Sequence, residues 1–177
     1  MGNDVLHHLT SQGKYDLRMA VEDFDEKESF AEYKNFKVDS EKDLYRLHLG
    51  EYNGNAGDAL ADLHTIKQPG AGSSLAGVKF STYDKQPDGD GKCIRHSKSG
   101  WWFSRCDSGN LNGHYDKGPY QAMTNDGIVW YTWHRWLYSI KSVVMMVQAA
   151  DLEHPQAMVP GQLEPKKAAG PDHPFGQ

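Results

Sequence analysis

Between Tyr15 and Glu22 apolar and polar residues alternate: Tyr15, Leu17, Met19 and Val21 share one face, with Asp16, Arg18, Ala20 and Glu22 between them. A period of two predicts a strand with one buried face. Upstream, Asn3 or Asp4 is placed to cap a short helix carrying Val5, Leu6 and Leu9 and ended by Gly13. Residues 23–27 (DFDEK) read as a polar turn, and residues 30–38 and 45–49 as two further strands, the second alternating Tyr45, Leu47 and Leu49 with Arg46 and His48. The pattern predicts a meander of antiparallel strands, half buried and half wet.

After Gly50 the character changes. NGNAGDAL supplies Asn-Gly turn chemistry, and Asp58 is a candidate cap for a short helix through Ala59, Leu60 and Leu63. Residues 68–77 are rich in Gly, Ser and Pro and read as loop, and residues 83–125 hold many turn formers with little periodicity. Loop-borne function is expected there, on a rigid scaffold. Residues 127–133 and 136–147 return to β-branched and aromatic strand formers, the last closing the sheet, with His134 and Arg135 in a turn between them. From Gln148 onward the chain carries five of its eight prolines and no apolar period, so residues 148–177 read as a disordered tail on a domain spanning 1–147. The fold class is α+β: a twisted antiparallel sheet, short helices and a long loop-rich region.

Composition narrows the function. The 177 residues suit one domain, and 38% apolar residues with 18 glycines and 11% aromatics point to a core carried by large rings. A net charge of −5 argues against nucleic acid as a partner. No apolar run approaches the roughly 18 residues of a bilayer span, so no membrane insertion is expected. The start MGNDVLHHLTSQG has no basic and apolar signal regions, so secretion would require the chain to be part of a longer precursor. No GxSxG, HExxH, GxxxxGK[ST] or GxGxxG occurs, and the nine histidines are scattered; catalysis is not expected.

Cys93 and Cys106 permit one intramolecular pairing, and their spacing alone leaves a disulfide and a pair of reduced thiols equally open. Between them stand Trp101 and Trp102, candidates for a recognition loop or for core packing. Asp88 and Asp90, with Gly91 beside them, suit a calcium loop of closely spaced carboxylates and main-chain oxygens, or an acidic solvated turn. The rings of WYTWHRWLYS (residues 130–139) offer a receptor-binding patch with Arg135 as a contact; buried packing is the simpler expectation for Trp130 and Tyr138.

The run CIRHSKSGWWFSRC followed by NLNG resembles the fibrinogen C-terminal (fibrinogen-related) domain family, nearest to angiopoietin-like and fibrinogen-like proteins. YDLRMAVEDF, FAEYKNFKV and YRLHLGEYNGNAGDAL upstream, and NDGIVWYTW and WLYSIKSVVMMV downstream, extend the resemblance over residues 1–147. It implies a Cys93–Cys106 disulfide, a calcium ion near Asp88, and a cis peptide bond at Arg105–Cys106 that shapes a ligand pocket. Two departures stand out: Asp107 replaces a frequent histidine, and Thr124 and Asn125 stand where a Tyr-Asp pair grips fibrin knobs. The family's preceding block, with a further strand and disulfide, is expected to be missing, and its closing Arg-Pro pair is replaced by Gln148-Ala149.

By resemblance, the expected function is a secreted non-enzymatic recognition module. It would be the globular head of an angiopoietin-like or fibrinogen-like ligand for a cell-surface receptor or extracellular matrix protein. The alternatives are a lectin-like innate recognition domain for acetylated glycans, and a truncated product without autonomous activity. No heptad repeat occurs, so oligomerising coiled coils would lie outside this chain.

Overall fold

The alternating segment forms the eight-residue strand β1 (Tyr15–Glu22), and both of its edges are paired in the computed structural model, which describes residues 1–60, 78–87, 91–103, 106, 108–120 and 126–150. One partner is β2 (Glu28–Tyr33), joined through the turn at residues 23–27; the other is β10 (Ser142–Ala149), from the far end of the described chain. With β5 (Tyr52–Gly54) outside β2, the order is β10-β1-β2-β5, all antiparallel. Leu17, Met19 and Val21 are buried as their alternation requires, against Ala31, Tyr33, Phe36 and Val38.

The helix α1 (Asn3–Ser11) forms where expected, but Gly2, not a side chain, occupies its N-cap. It lies against β3 (Lys37–Val38), where the Thr10 hydroxyl receives the Val38 amide at 3.1 Å. The strand expected over 30–38 breaks between β2 and β3 because Asn35 takes a left-handed φ of 52°, a conformation asparagine tolerates. Asp16 holds this corner by accepting the Asn35 amide and pairing with Lys34 at 2.6 Å. The strand expected over 45–49 shrinks to β4 (Leu47–His48), because Leu44 and Tyr45 are left-handed after a 3₁₀ turn at Glu41–Asp43.

The remaining described elements are short: the helix α2 (Lys92–Ser97), then β6 (Gly109–Asn110), β7 (Gly118–Pro119), β8 (Val129–Trp130), the helix α3 (Tyr131–His134) and β9 (Tyr138–Ser139). The expected strand over 127–133 is therefore half helix: after Trp130 the chain coils, and the Thr132 hydroxyl donates to the Ala56 carbonyl at 2.9 Å. The expected strand over 136–147 is two strands in two sheets. β9 pairs with β7, and the chain crosses at Ile140 and Lys141, whose amides donate to Ile128 and Glu22, to enter the large sheet as β10. That strand continues past 147: Gln148 and Ala149 pair with Asp16 and Tyr15, so the ordered domain reaches two residues beyond the boundary read from the sequence. Residues 151–177, the rest of the expected tail, lie outside the described residues. Asp58 accepts the Tyr33 hydroxyl at 2.6 Å, and the short helix expected after it runs into residues 61–63, outside the described residues.

One buried acid organises the turn between β1 and β2. Asp23 has no exposed surface; its Oδ1 accepts the amides of Asp25 and Lys27, each at 2.9 Å, and its Oδ2 lies 2.9 Å from His134 Nε2. The His134 ring stacks on Tyr138 at 4.2 Å, and the Tyr138 hydroxyl accepts the Phe24 amide. A histidine expected in a plain turn thus pins α3 to the sheet across 111 residues of sequence. Burial pushes the Asp23 carboxyl up, but the Lys27 amide, His134 and the Asp25 amide outweigh it and leave it below the usual carboxylate range. A depressed carboxyl stabilises the fold above its unfolded pKa of about 3.9 and loses that contribution as pH falls through the folded value.

Asp23→Ala strips two amides and His134 of their acceptor and is expected to cost about 2–4 kcal/mol at neutral pH. Urea unfolding of both proteins at pH 7 and at pH 3 checks this, and the difference between them must shrink at the lower pH.

Candidate functional site

The crosslinked region is built on α2. Gly91 precedes it with φ 68°, a left-handed conformation that glycine adopts without strain. Cys93, in the first turn, is disulfide-bonded to Cys106 with a Cα separation of 4.5 Å. Ser97, at the other end, donates to the Cys106 carbonyl at 3.5 Å. The crosslink therefore ties a helix to the chain that leads into β6, where sequence reasoning expected only loop.

The asparagines of NLNG carry that constraint onward. Asn110 is buried, and its amide nitrogen donates to the carbonyls of Ser97 at 3.3 Å and Gly127 at 3.4 Å. Asn112 donates to the Gly100 carbonyl at 2.9 Å. Gly113 closes the turn so tightly against residues 126–127 that a Cβ would lie 2.0 Å from the Gly127 carbonyl oxygen. Lys98 adds an ion pair to Asp126 at 2.9 Å.

The tryptophan pair is core, a correction to the ligand-facing role considered for it. Trp101 is 1% and Trp102 6% exposed, with Phe103 beside them at 7%. The two indoles meet edge to face at 5.5 Å, and Trp102 Nε1 donates to the Tyr45 carbonyl at 2.7 Å. A ring enclosed by protein with its polar atom satisfied has no face left for a ligand. Gly91 is a helix-capping residue as described above. The other residues singled out from the sequence, Arg105, Asp107, Thr124, Asn125, Asp88 and Asp90, lie outside the described residues, and so does the Arg105–Cys106 bond. Among the described residues no group of three His, Cys, Asp or Glu side chains is placed to hold a metal. Asp84 accepts the Thr82 hydroxyl at 2.7 Å, which holds its carboxyl below the usual range.

An accessible aromatic surface lies at the corner of residues 131–137. Trp136 is 41% and Leu137 50% exposed. Trp136 stacks on Tyr131 at 4.9 Å and 24°, and the Arg135 guanidinium lies over the other ring at 5.1 Å while donating to the Tyr131 hydroxyl at 3.0 Å. Tyr120 braces the corner from below: its hydroxyl donates to the Trp136 carbonyl at 2.9 Å and accepts the Gly127 amide at 3.1 Å. Burial pushes the Tyr120 phenol up, with Asp126 and Asp116 adding to it, so it stays a neutral donor. Nothing in the sequence separates this bracing tyrosine from the other eight. The corner's one acid–base contact, His134 with Asp23, is turned to the buried carboxylate; its outer side offers rings, a cation and an aliphatic side chain, which suits non-covalent recognition.

The family model for the C-terminal globular domain of fibrinogen beta and gamma chains matches residues 1–150. Fibrinogen-like protein 1 of Bos taurus is 52% identical over 153 residues, covering 85% of this chain and 48% of the relative. The fibrinogen-like globe domain of human ANGPTL2 superposes with a TM-score of 0.73 at 36% identity, over 84% of this chain and 64% of that one. Lamprey fibrin D-dimer, complexed with the peptide ligand Gly-His-Arg-Pro-amide, gives 0.75 at 32% identity over 95% of this chain and 55% of that chain. The chain spans about half the length of the curated relative.

Reducing the disulfide, or replacing both cysteines by serine, is expected to cost about 3 kcal/mol, because the unfolded chain regains the freedom of a loop closed across 13 positions. Urea titrations with and without reductant measure it. Gly113→Ala is expected to lose at least about 2 kcal/mol in the same assay, since backbone, not a flexible side chain, stands in the way.

Proposed function

This chain belongs to the fibrinogen C-terminal globular domain family, and from that footing we propose that it is an extracellular recognition globe whose corner at residues 131–137 binds a cell-surface receptor or matrix protein. The family is non-enzymatic, so the question is what the surface grips. The observation that carries the reading is the unequal use of tryptophan. Trp101, Trp102 and Trp130 are all buried, whereas Trp136 is braced from beneath and left exposed beside Arg135 and Leu137. Tryptophan, tyrosine and arginine dominate the energetics of protein interfaces, and a ring held rigid loses little entropy on binding. The Cys93–Cys106 disulfide supports an oxidising location, since such bonds persist outside the cytosol.

A peptide ligand like that of the lamprey relative is a different matter. Thr124 and Asn125 replace the Tyr-Asp pair that the resemblance associates with knob binding, and neither offers a carboxylate to an amine. Gly-His-Arg-Pro-amide is accordingly expected to give no heat on titration into the oxidised chain.

The test is binding of the fluorescently labelled, oxidised chain to cultured cells. Binding is expected to saturate and to vanish after protease stripping of the cells. Trp136→Ala is expected to weaken it at least tenfold, about 1.4 kcal/mol, with its melting temperature close to that of the parent. Undiminished binding by Trp136→Ala removes the corner from the site. Retention on N-acetylated sugar beads with elution by free acetyl compounds would replace the protein-ligand reading by a glycan one.

A further inference from the structure

The corner at residues 131–137 holds two basic side chains that are used in opposite ways. His134 is turned inward, its Nε2 2.9 Å from the fully buried Asp23 carboxylate. Arg135, next in the chain, is exposed and makes no ion pair among the described residues. Several other cations of the described surface are already matched: Arg18 with Glu32, Lys34 with Asp16, Lys98 with Asp126 and Lys141 with Glu22. Arg135 is nevertheless held in place. Its guanidinium lies over the Tyr131 ring at 5.1 Å, and its Nη1 donates to the Tyr131 hydroxyl at 3.0 Å. The Nε–Nη2 edge of the same group has no acceptor among the described residues. An arginine oriented in this way has given up part of its rotamer freedom before a partner arrives.

We infer that Arg135 and its neighbours form a subsite for an acidic peptide segment, in which a carboxylate takes the open guanidinium edge and the apolar residue beside it lies on Trp136 and Leu137. The inference rests on the corner being the recognition surface proposed above, and it names the chemistry of what that surface grips. The Nε–Nη2 edge presents parallel N–H donors that match both oxygens of one carboxylate. A neutral amide offers the same edge a single oxygen and a competing N–H donor, so the acid is the preferred guest. Trp136 and Leu137, 41% and 50% exposed, adjoin Arg135 in sequence and supply the apolar part of the contact. A sulfated glycan is the poorer fit, because polyanions are held by runs of basic residues. Here the one neighbouring basic residue is committed to Asp23, and the adjoining surface is apolar. The chain's formal charge of −5 makes the attraction one of contact and not of long-range steering.

NMR of the Arg135 Nε–H and the Trp136 indole N–H reads this directly, with the oxidised chain titrated by the capped tripeptide Glu-Leu-Phe and by its Gln-Leu-Phe counterpart. The Glu peptide is expected to shift both resonances saturably at millimolar concentration, and the Gln peptide to bind at least about tenfold more weakly. Arg135→Lys keeps the charge and loses the fork; Arg135→Ala loses both. Each is expected to melt with the parent, the first with a reduced preference for the Glu peptide and the second with none. On cultured cells, Arg135→Ala is expected to weaken binding at least about tenfold. Equal response to the two peptides, or no response at Arg135, overturns the proposal. Cell binding that falls with Trp136→Ala but stands with Arg135→Ala overturns it too, while leaving the corner as the site. Undiminished cell binding by Trp136→Ala removes the corner from the cellular site, and the peptide titration then decides the subsite by itself. Loss of cell binding after heparinase treatment assigns the corner to a sulfated glycan and overturns the acidic-peptide proposal.

Discussion

The pairing of β1 with β10 is the constraint on which the domain is built. It brings Tyr15 opposite Ala149 and Glu22 opposite Ser142, so residues from the two ends of the described chain are locked along one eight-residue ladder. Everything between them must leave the sheet at β2 and β5 and return through the crossing at Ile140 and Lys141. Such non-local closure is entropically expensive and yields little until most of it is formed. The intervening segment therefore carries its own fastenings: the disulfide, the NLNG hydrogen bonds, and the Asp23–His134 pair that joins α3 to the first turn of the sheet.

These fastenings also reach the exposed corner. The crosslink fixes α2 relative to β6, Asn110 passes that order to Gly127, and Tyr120 links Gly127 to the carbonyl of Trp136. From the other side, His134 stands beside Arg135 in sequence and is anchored by a buried carboxylate. The exposed corner is a short segment gripped at both ends by polar contacts, with the tryptophan-rich core serving as its foundation. The disulfide thus shapes the corner from a distance.

The sequence made β1 legible to the residue, because its period of two is unbroken and both flanks carry turn chemistry. It made β10 legible in type but not in extent, since Gln148 and Ala149 look like the start of the proline-rich stretch and owe their strand conformation to pairing with Asp16 and Tyr15. Failures fell where one residue's backbone overrides the pattern: Asn35, Leu44 and Tyr45 adopt left-handed φ values that no alternation reveals. Tryptophan posed a different problem. Trp102 and Trp136 are chemically the same signal, and only the tertiary surroundings make one core and the other surface. The Asp23–His134 contact was invisible for a simpler reason, since nothing local couples two polar residues so far apart in the chain.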